Sequence, residues 1–188
     1  ILTGGTLSKS VSGAGLTTIT GNTTNSAGIN QGVKVNSGIT LTNNAALGSA
    51  SGSVTNAGTI NSSADNIKGT VSNTGSLNLS GGTLSKAVSG SGKTTITGNT
   101  TNSGGINQGV TVNSGVTLTN NAALGSDSGT ITNSGTINTS ASNIKGAVTN
   151  NNTLNLSGGT LSKAVSGSGT TNITGAVTSN SAISQAIN

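Results

Sequence analysis

The chain copies itself at a fixed period, with no insertion anywhere. Leu2–Lys9 (LTGGTLSK) returns as Leu79–Lys86 (LSGGTLSK) and again as Leu156–Lys163. Overlaying 2–78 on 79–155 leaves 59 of 77 positions identical, and a partial third copy occupies 156–188. Repeats of this length dictate a stacked, quasi-one-dimensional architecture, because each unit buries its apolar face only against its neighbours. The chain reads as one rod segment, 1–188. Since it starts and stops in mid-repeat, a longer parent protein is expected.

Composition sets how thick that rod can be. Ser (30), Thr (33), Asn (27) and Gly (31) make up 121 of 188 residues, and only 29% are hydrophobic. That is too few for a globule with one large core. It suffices for a thin core of a few small aliphatic residues per layer. Pro, Cys, Met, His and all aromatics are absent, and the chain avoids the Pro, Glu and high net charge of disordered segments. The lack of Cys leaves the redox compartment open.

A shorter rhythm lies inside that period. A V-x-N-x-G motif recurs as Val11–Gly15 (VSGAG), Val35–Gly38 (VNSG, preceded by Lys34), Val54–Gly58 (VTNAG) and Val71–Gly75 (VSNTG). Its closing glycines are Gly15, Gly38, Gly58, Gly75 and then Gly92, so the spacing falls from 23 to 20 and then to 17 twice. Each is followed by a polar–apolar–polar run: Thr18-Ile19-Thr20, Thr40-Leu41-Thr42, Thr59-Ile60-Asn61, Ser76-Leu77-Asn78. Period-2 alternation bounded by Asn and Gly predicts half-buried strands and tight turns. No helical period is present, so no helix is expected. The prediction is an all-β parallel β-helix, three-sided, with about four coils per repeat. A trimeric stalk of interwoven chains is the alternative.

Inward positions are expected at Leu7, Val11, Ile19, Ile29, Val33, Ile39 or Leu41, Leu47, Val54, Ile60, Ile67, Val71 and Leu77. The motif predicts a structural turn ladder of Asn36, Gly38, Asn56, Gly58, Asn73, Gly75, Asn113, Gly115, Asn133, Gly135, Asn150 and Asn152, with amides stacked coil on coil. Gly75 becomes Asn152 in the second copy. Gly and Asn both tolerate left-handed backbone, which is what a tight turn would ask of that position.

The N-x-G-T-I elements (Asn56–Ile60, Asn133–Ile137) resemble passenger regions of bacterial autotransporter adhesins and filamentous-haemagglutinin-like proteins. So do Gly21–Asn25 (GNTTN) and Val112–Asn120 (VNSGVTLTN). The resemblance implies a right-handed β-helix, secreted or displayed on the bacterial surface, that serves attachment, self-association or spacing.

Residue chemistry points away from catalysis. The only acids, Asp65 and Asp127, sit at different repeat positions, whereas glycosidases need a pair of carboxylates. No His is available to activate a serine. Gly90–Thr95 (GSGKTT) has the wrong spacing for a phosphate loop and is expected to be a turn. No metal or cofactor site is expected. Net charge is +5, but the lysines are spread over Lys9, Lys86 and Lys163, Lys68 and Lys145, and the isolated Lys34 and Lys93. Without Arg, aromatics or clustering, nucleic acid is not an expected partner. These lysines are expected to blunt strand edges. No apolar run approaches the roughly 20 residues that a membrane-crossing helix needs.

Expected partners are therefore a second copy, associating laterally or end to end, or a host or matrix glycan or protein. The candidate interaction face comprises Thr18, Thr20, Thr40, Thr42, Thr59, Asn61, Thr95, Thr97, Thr117, Thr119, Thr136 and Asn138. Two other readings remain: ice binding by its T-x-T pairs, and a structural surface-layer or matrix fibre.

Overall fold

The computed structural model describes all 188 residues and is a parallel β-solenoid of about eleven turns. Each strand pairs in parallel with the strand one turn away. One inward column can be followed through the whole rod: Gly5, Thr23, Leu41, Ile60, Leu77, Thr94, Val110, Ile131, Val148, Val165, Ile183. It marks the first face. A second face carries Thr17, Val33, Val54, Val71, Val88, Ile106, Leu124 and Ile144. A third carries Val11, Ile29, Leu47 and Ile67 below, and Thr100, Leu118, Ile137, Leu154 and Thr171 above. At a strand spacing of about 4.8 Å, eleven turns make a rod roughly 50 Å long.

The turn and the repeat are out of phase. Thr17 lies on the second face under Val33, its repeat mate Thr94 on the first face between Leu77 and Val110, and Thr171 on the third face against Leu154. From Leu84 to its mate Leu161 the chain covers thirteen sides, so about four coils per repeat becomes four and one-third turns. The long interval between Gly15 and Gly38 accounts for the extra third. It spans four sides, while the other intervals span three each. The additional side is the strand Thr23–Asn25, which contains no apolar residue.

The core is one continuous cluster of 31 aliphatic side chains. Leu41, not Ile39, takes the inward position at its strand; Ile39 is only partly buried. Leu7 and Val11 are also partly buried. Val35, Leu79 and Ala64 join the core as well. Inward polar residues fill the rest, among them Thr17, Thr23, Asn25, Gln31, Asn43, Asn56 and Ser62. Helix is confined to two single 3₁₀ turns, Ala64–Asn66 and Ala141–Asn143, and no helix is long and apolar enough to cross a membrane.

Two turn assignments change. Val11–Ile19 and Val88–Ile96 are continuous nine-residue strands, so Gly13–Gly15 and the Gly90–Thr95 stretch are not turns between strands. Register slips by two positions inside each, where the strand runs straight across a corner of the prism. Gly90 absorbs the bulge with φ +121°, and a Cβ there would strike the Asn73 carbonyl. Gly75 and Asn152 are not left-handed either, since no residue other than glycine has positive φ and Gly75 is not among the glycines that do. The position is tight in the first copy, where a Cβ on Gly75 would strike the Gly58 carbonyl oxygen, so the stack must shift to admit Asn152 in the second. The position itself does not use the left-handed region. Gly38 and Gly115 do require it (φ +75° and +74°), each closing a turn in which the residue after it donates to Asn36 or Asn113.

Column geometry separates two neighbouring aliphatics. Leu41→Ala should lower unfolding free energy by about 2–5 kcal/mol in a denaturant titration. Ile39→Ala, two positions earlier and partly exposed, should cost about 1 kcal/mol or less.

Candidate interaction surface

One step outward from the first column stands a second one. Thr6, Thr24, Thr42, Asn61, Asn78, Thr95, Thr111, Thr132, Thr149, Ser166 and Ser184 follow one another turn by turn. This rank points out because alternation along a strand sends every second side chain to the surface. No charged residue interrupts it. Lys34 stands instead on the second face, between Thr18 and Thr55. Lys9, Lys86 and Lys163 occupy three different corners, since each repeat turns the rod by a further third.

The same rotation disperses the candidate interaction residues. Thr40, Thr42, Thr59, Asn61, Thr95 and Thr97 lie on the first face or its corner, with Thr42, Asn61 and Thr95 in the outward rank. Thr18 and Thr20 belong to the second face. Thr117, Thr119, Thr136 and Asn138 belong to the third, where the outward rank runs Thr83, Thr101, Thr119, Asn138, Asn155, Asn172. Repeat-equivalent T-x-T pairs therefore never share a face in consecutive copies.

Asparagine forms two kinds of ladder. Inside, Asn56 donates to Asn73 at 2.7 Å and Asn133 to Asn150 at 2.7 Å. Asn36 and Asn113 lie outside this ladder: Val35 pairs with Asn56, and Val112 with Asn133. A second inner ladder was not legible in the motif. Asn25 donates to Asn43 (2.6 Å), which donates to Ser62 (2.9 Å), and Asn102, Asn120 and Thr139 repeat the arrangement one copy later. Asn25 also accepts from the Gly28 N–H and donates to the Ala46 carbonyl, stitching a corner shut. Gln31 and Gln108, likewise buried, donate to the Thr17 and Thr94 hydroxyls. Outside, Asn78 donates to Asn61, and Asn172 donates to Asn155, which donates to Asn138, all at 2.7 Å.

Beside each outer ladder runs a shallow groove. The larger, about 570 Å³, is lined by Thr119, Asn120, Asn121, Asn138, Thr139, Ser140, Asn155, Ser157, Asn172 and Thr174, with no hydrophobic residue. Its repeat mate, about 320 Å³, is lined by Thr42, Asn43, Asn44, Asn61, Ser62, Ser63, Asn66 and Ser80. Both acids are engaged elsewhere. Asp65 accepts the Thr83 N–H at 2.9 Å, and Asp127 pairs with Lys163 across two turns. The hydrogen bond from Lys163, and then its charge, hold the exposed Asp127 carboxyl below the usual range.

No protein-family model, no curated protein and no solved structure matches the chain.

Two measurements probe this surface. Asn25→Ala leaves Asn43 and the Gly28 N–H without their buried partner and should cost about 2–4 kcal/mol, whereas Asn36→Ala should shift stability by about 0.5 kcal/mol or less. Lys163→Gln should raise the Asp127 pKa in a carboxyl NMR titration. The sign follows from the lowered folded value: the pair's stabilisation is present above the unfolded pKa and is lost as pH falls through the folded one. It is small, because both groups are on the surface.

Proposed function

We propose that this chain belongs to a secreted or surface-displayed rod of the autotransporter-adhesin or filamentous-haemagglutinin kind, working without catalysis in attachment, self-association or spacing. The observation that carries the reading is the outward rank from Thr6 to Ser184, eleven turns of hydroxyls and amides without a charge, of which the Thr111 hydroxyl alone is buried without a partner. Each contact from such a rank contributes only about 1 kcal/mol, but turns at strand spacing multiply it, and nothing on the rank repels a second uncharged surface. The non-catalytic part of the proposal is supported by the two carboxylates, which lie on different corners and are each spent on a structural partner. The extracellular part rests on the resemblance and on a composition free of oxidisable Cys and Met. A structural fibre would use the same physics, and the proposal includes it as spacing. Ice binding is less well supported, because a flat lattice-matched face needs its T-x-T pairs on one side, and the repeat sets them on three.

A triple substitution along the rank, Thr42→Lys, Thr95→Lys and Thr132→Lys, tests it. Sedimentation velocity and adhesion of protein-coated beads should both show association weakened by about tenfold or more, since like charges facing a partner cost several kcal/mol. Unchanged association and adhesion in the folded variant would remove the rank from the interface and overturn this reading.

A further inference from the structure

The two grooves are the most specific surface features of the rod, and their hydrogen-bond inventory indicates what they can hold. In each, the lowest amide of the outer ladder is left open. Asn138 accepts from Asn155 but its own NH₂ donates to nothing, and Asn61 is in the same state beneath Asn78. The hydroxyls on the opposite wall are turned the other way. Ser140 donates to the Gly158 carbonyl, Ser157 to the Thr139 carbonyl and Thr174 to the Leu156 carbonyl. Their protons are spent inward, so they face the groove as acceptors. In the larger groove one wall thus offers a free donor and the other acceptors, with no charge among its lining residues. In the smaller one Ser63 donates to the Gly81 carbonyl and, at 3.5 Å, to the Asp65 carboxylate beside it.

We propose that each groove is a weak binding site for a neutral glycan chain, one site per repeat. This rests on the reading of the rod as an attachment device and names a ligand for it. A polyhydroxylated, uncharged chain supplies both donors and acceptors at short intervals, as the two walls require. The ladder amides recur at strand spacing, about 4.8 Å, close to the rise per sugar of an extended β-linked glycan. An extended peptide fits less well: it binds by adding to a free strand edge, and along the sides of this rod the backbone hydrogen bonds run up and down the stack. Sulfated or acidic glycans find no cation among the lining residues. Without an aromatic ring to stack on a sugar face, each site is weak, with a dissociation constant on the order of millimolar.

Thirteen sides per repeat then decide how the sites are displayed. The groove at Asn61 opens beside the first face and the groove at Asn138 beside the third, about 21 Å further along at strand spacing. Successive repeats place sites on a screw around the rod, so several glycan strands can be engaged from different directions, and avidity grows with the number of repeats.

The experiment is an NMR titration of the whole chain with chitotetraose, reading Asn side-chain NH₂ resonances, with a heparin-derived tetrasaccharide as the charged comparison. Saturable shifts are expected at Asn61 and Asn78 and at Asn138 and Asn155, with at least a tenfold preference for the neutral sugar. Asn138→Ala should abolish the response at Asn155 while leaving that at Asn61 intact. If that variant does not fold, Asn138→Thr, which places the rank's usual residue there, serves instead. No saturable shift at tens of millimolar sugar, or shifts that survive the substitution, would overturn the glycan proposal. So would a preference for the sulfated comparison with shifts at lysines. If the glycan result fails while bead adhesion still depends on the Thr42–Thr132 rank, only the ligand assignment falls and the attachment reading stands.

Discussion

Every turn of this rod is held by the turn above and the turn below, through backbone hydrogen bonds that run along the long axis. That constraint decides what each side chain can be. A residue pointing inward has the residue one turn on as its immediate neighbour, whatever their separation in sequence. Thr17 meets Val33 one turn on, and Val33 meets Val54 across a longer stretch of chain. The chain absorbs such differences at corners, where turns approach so closely that side chains are excluded. At Gly58, for example, a Cβ would run into the carbonyls of Ile39 and Asn36. Turn length is adjustable, and coil-to-coil register is not.

Inward polar groups follow from the same rule. An isolated buried amide is costly, but stacking turns it into one member of a ladder. Asn25 satisfies Asn43, Asn43 satisfies Ser62, and the corner backbone takes up remaining valences. These ladders are short, two or three rungs, because the next turn brings an aliphatic residue or, above Asn73 and Asn150, a glycine into the column. Above Ser62 come Leu79, Ile96 and Val112, and above those Asn133 and Asn150.

This explains what could be read from the sequence and what could not. Leu41, Ile60 and Leu77 stand out because each is an apolar residue flanked by polar ones, and the architecture follows from them. Thr23–Asn25 is a strand of equal standing, yet it presents Thr and Asn inward and looks like a loop in a chain that is two-thirds Ser, Thr, Asn and Gly. Missing that one side conceals the extra third of a turn, and with it the dispersal of Thr18, Thr95 and Thr119 over separate faces. The Asn ladder was legible at Asn56 and Asn73, where motif and register coincide. It was not at Asn36, because a turn closed by left-handed Gly38 moves the ladder position back to Val35. The grooves were beyond reach for a similar reason: each wall is assembled from residues a full turn apart, such as Asn138, Asn155 and Asn172, joined only by stacking.

The phase mismatch also bears on the absence of aromatic residues. Only a repeat one turn long would stack each position on its own copy and let a large ring be matched by identical rings all along one column. Here one column receives different parts of the repeat in succession, so Ser62 must accept Leu79 above it and Val112 must accept Asn133. Close packing punishes both voids and overfilling. Only side chains of similar, modest volume can follow one another in any order, and Thr, Asn, Val, Leu and Ile form that set. A ring large enough to strengthen one turn would meet a Thr or an Asn on the next and leave a cavity or a clash beside it. The narrow alphabet of this chain is thus a condition for stacking different parts of the repeat in one column, while the rotation of the repeat sets the equivalent Lys9, Lys86 and Lys163 on different corners and brings the two grooves out on different sides.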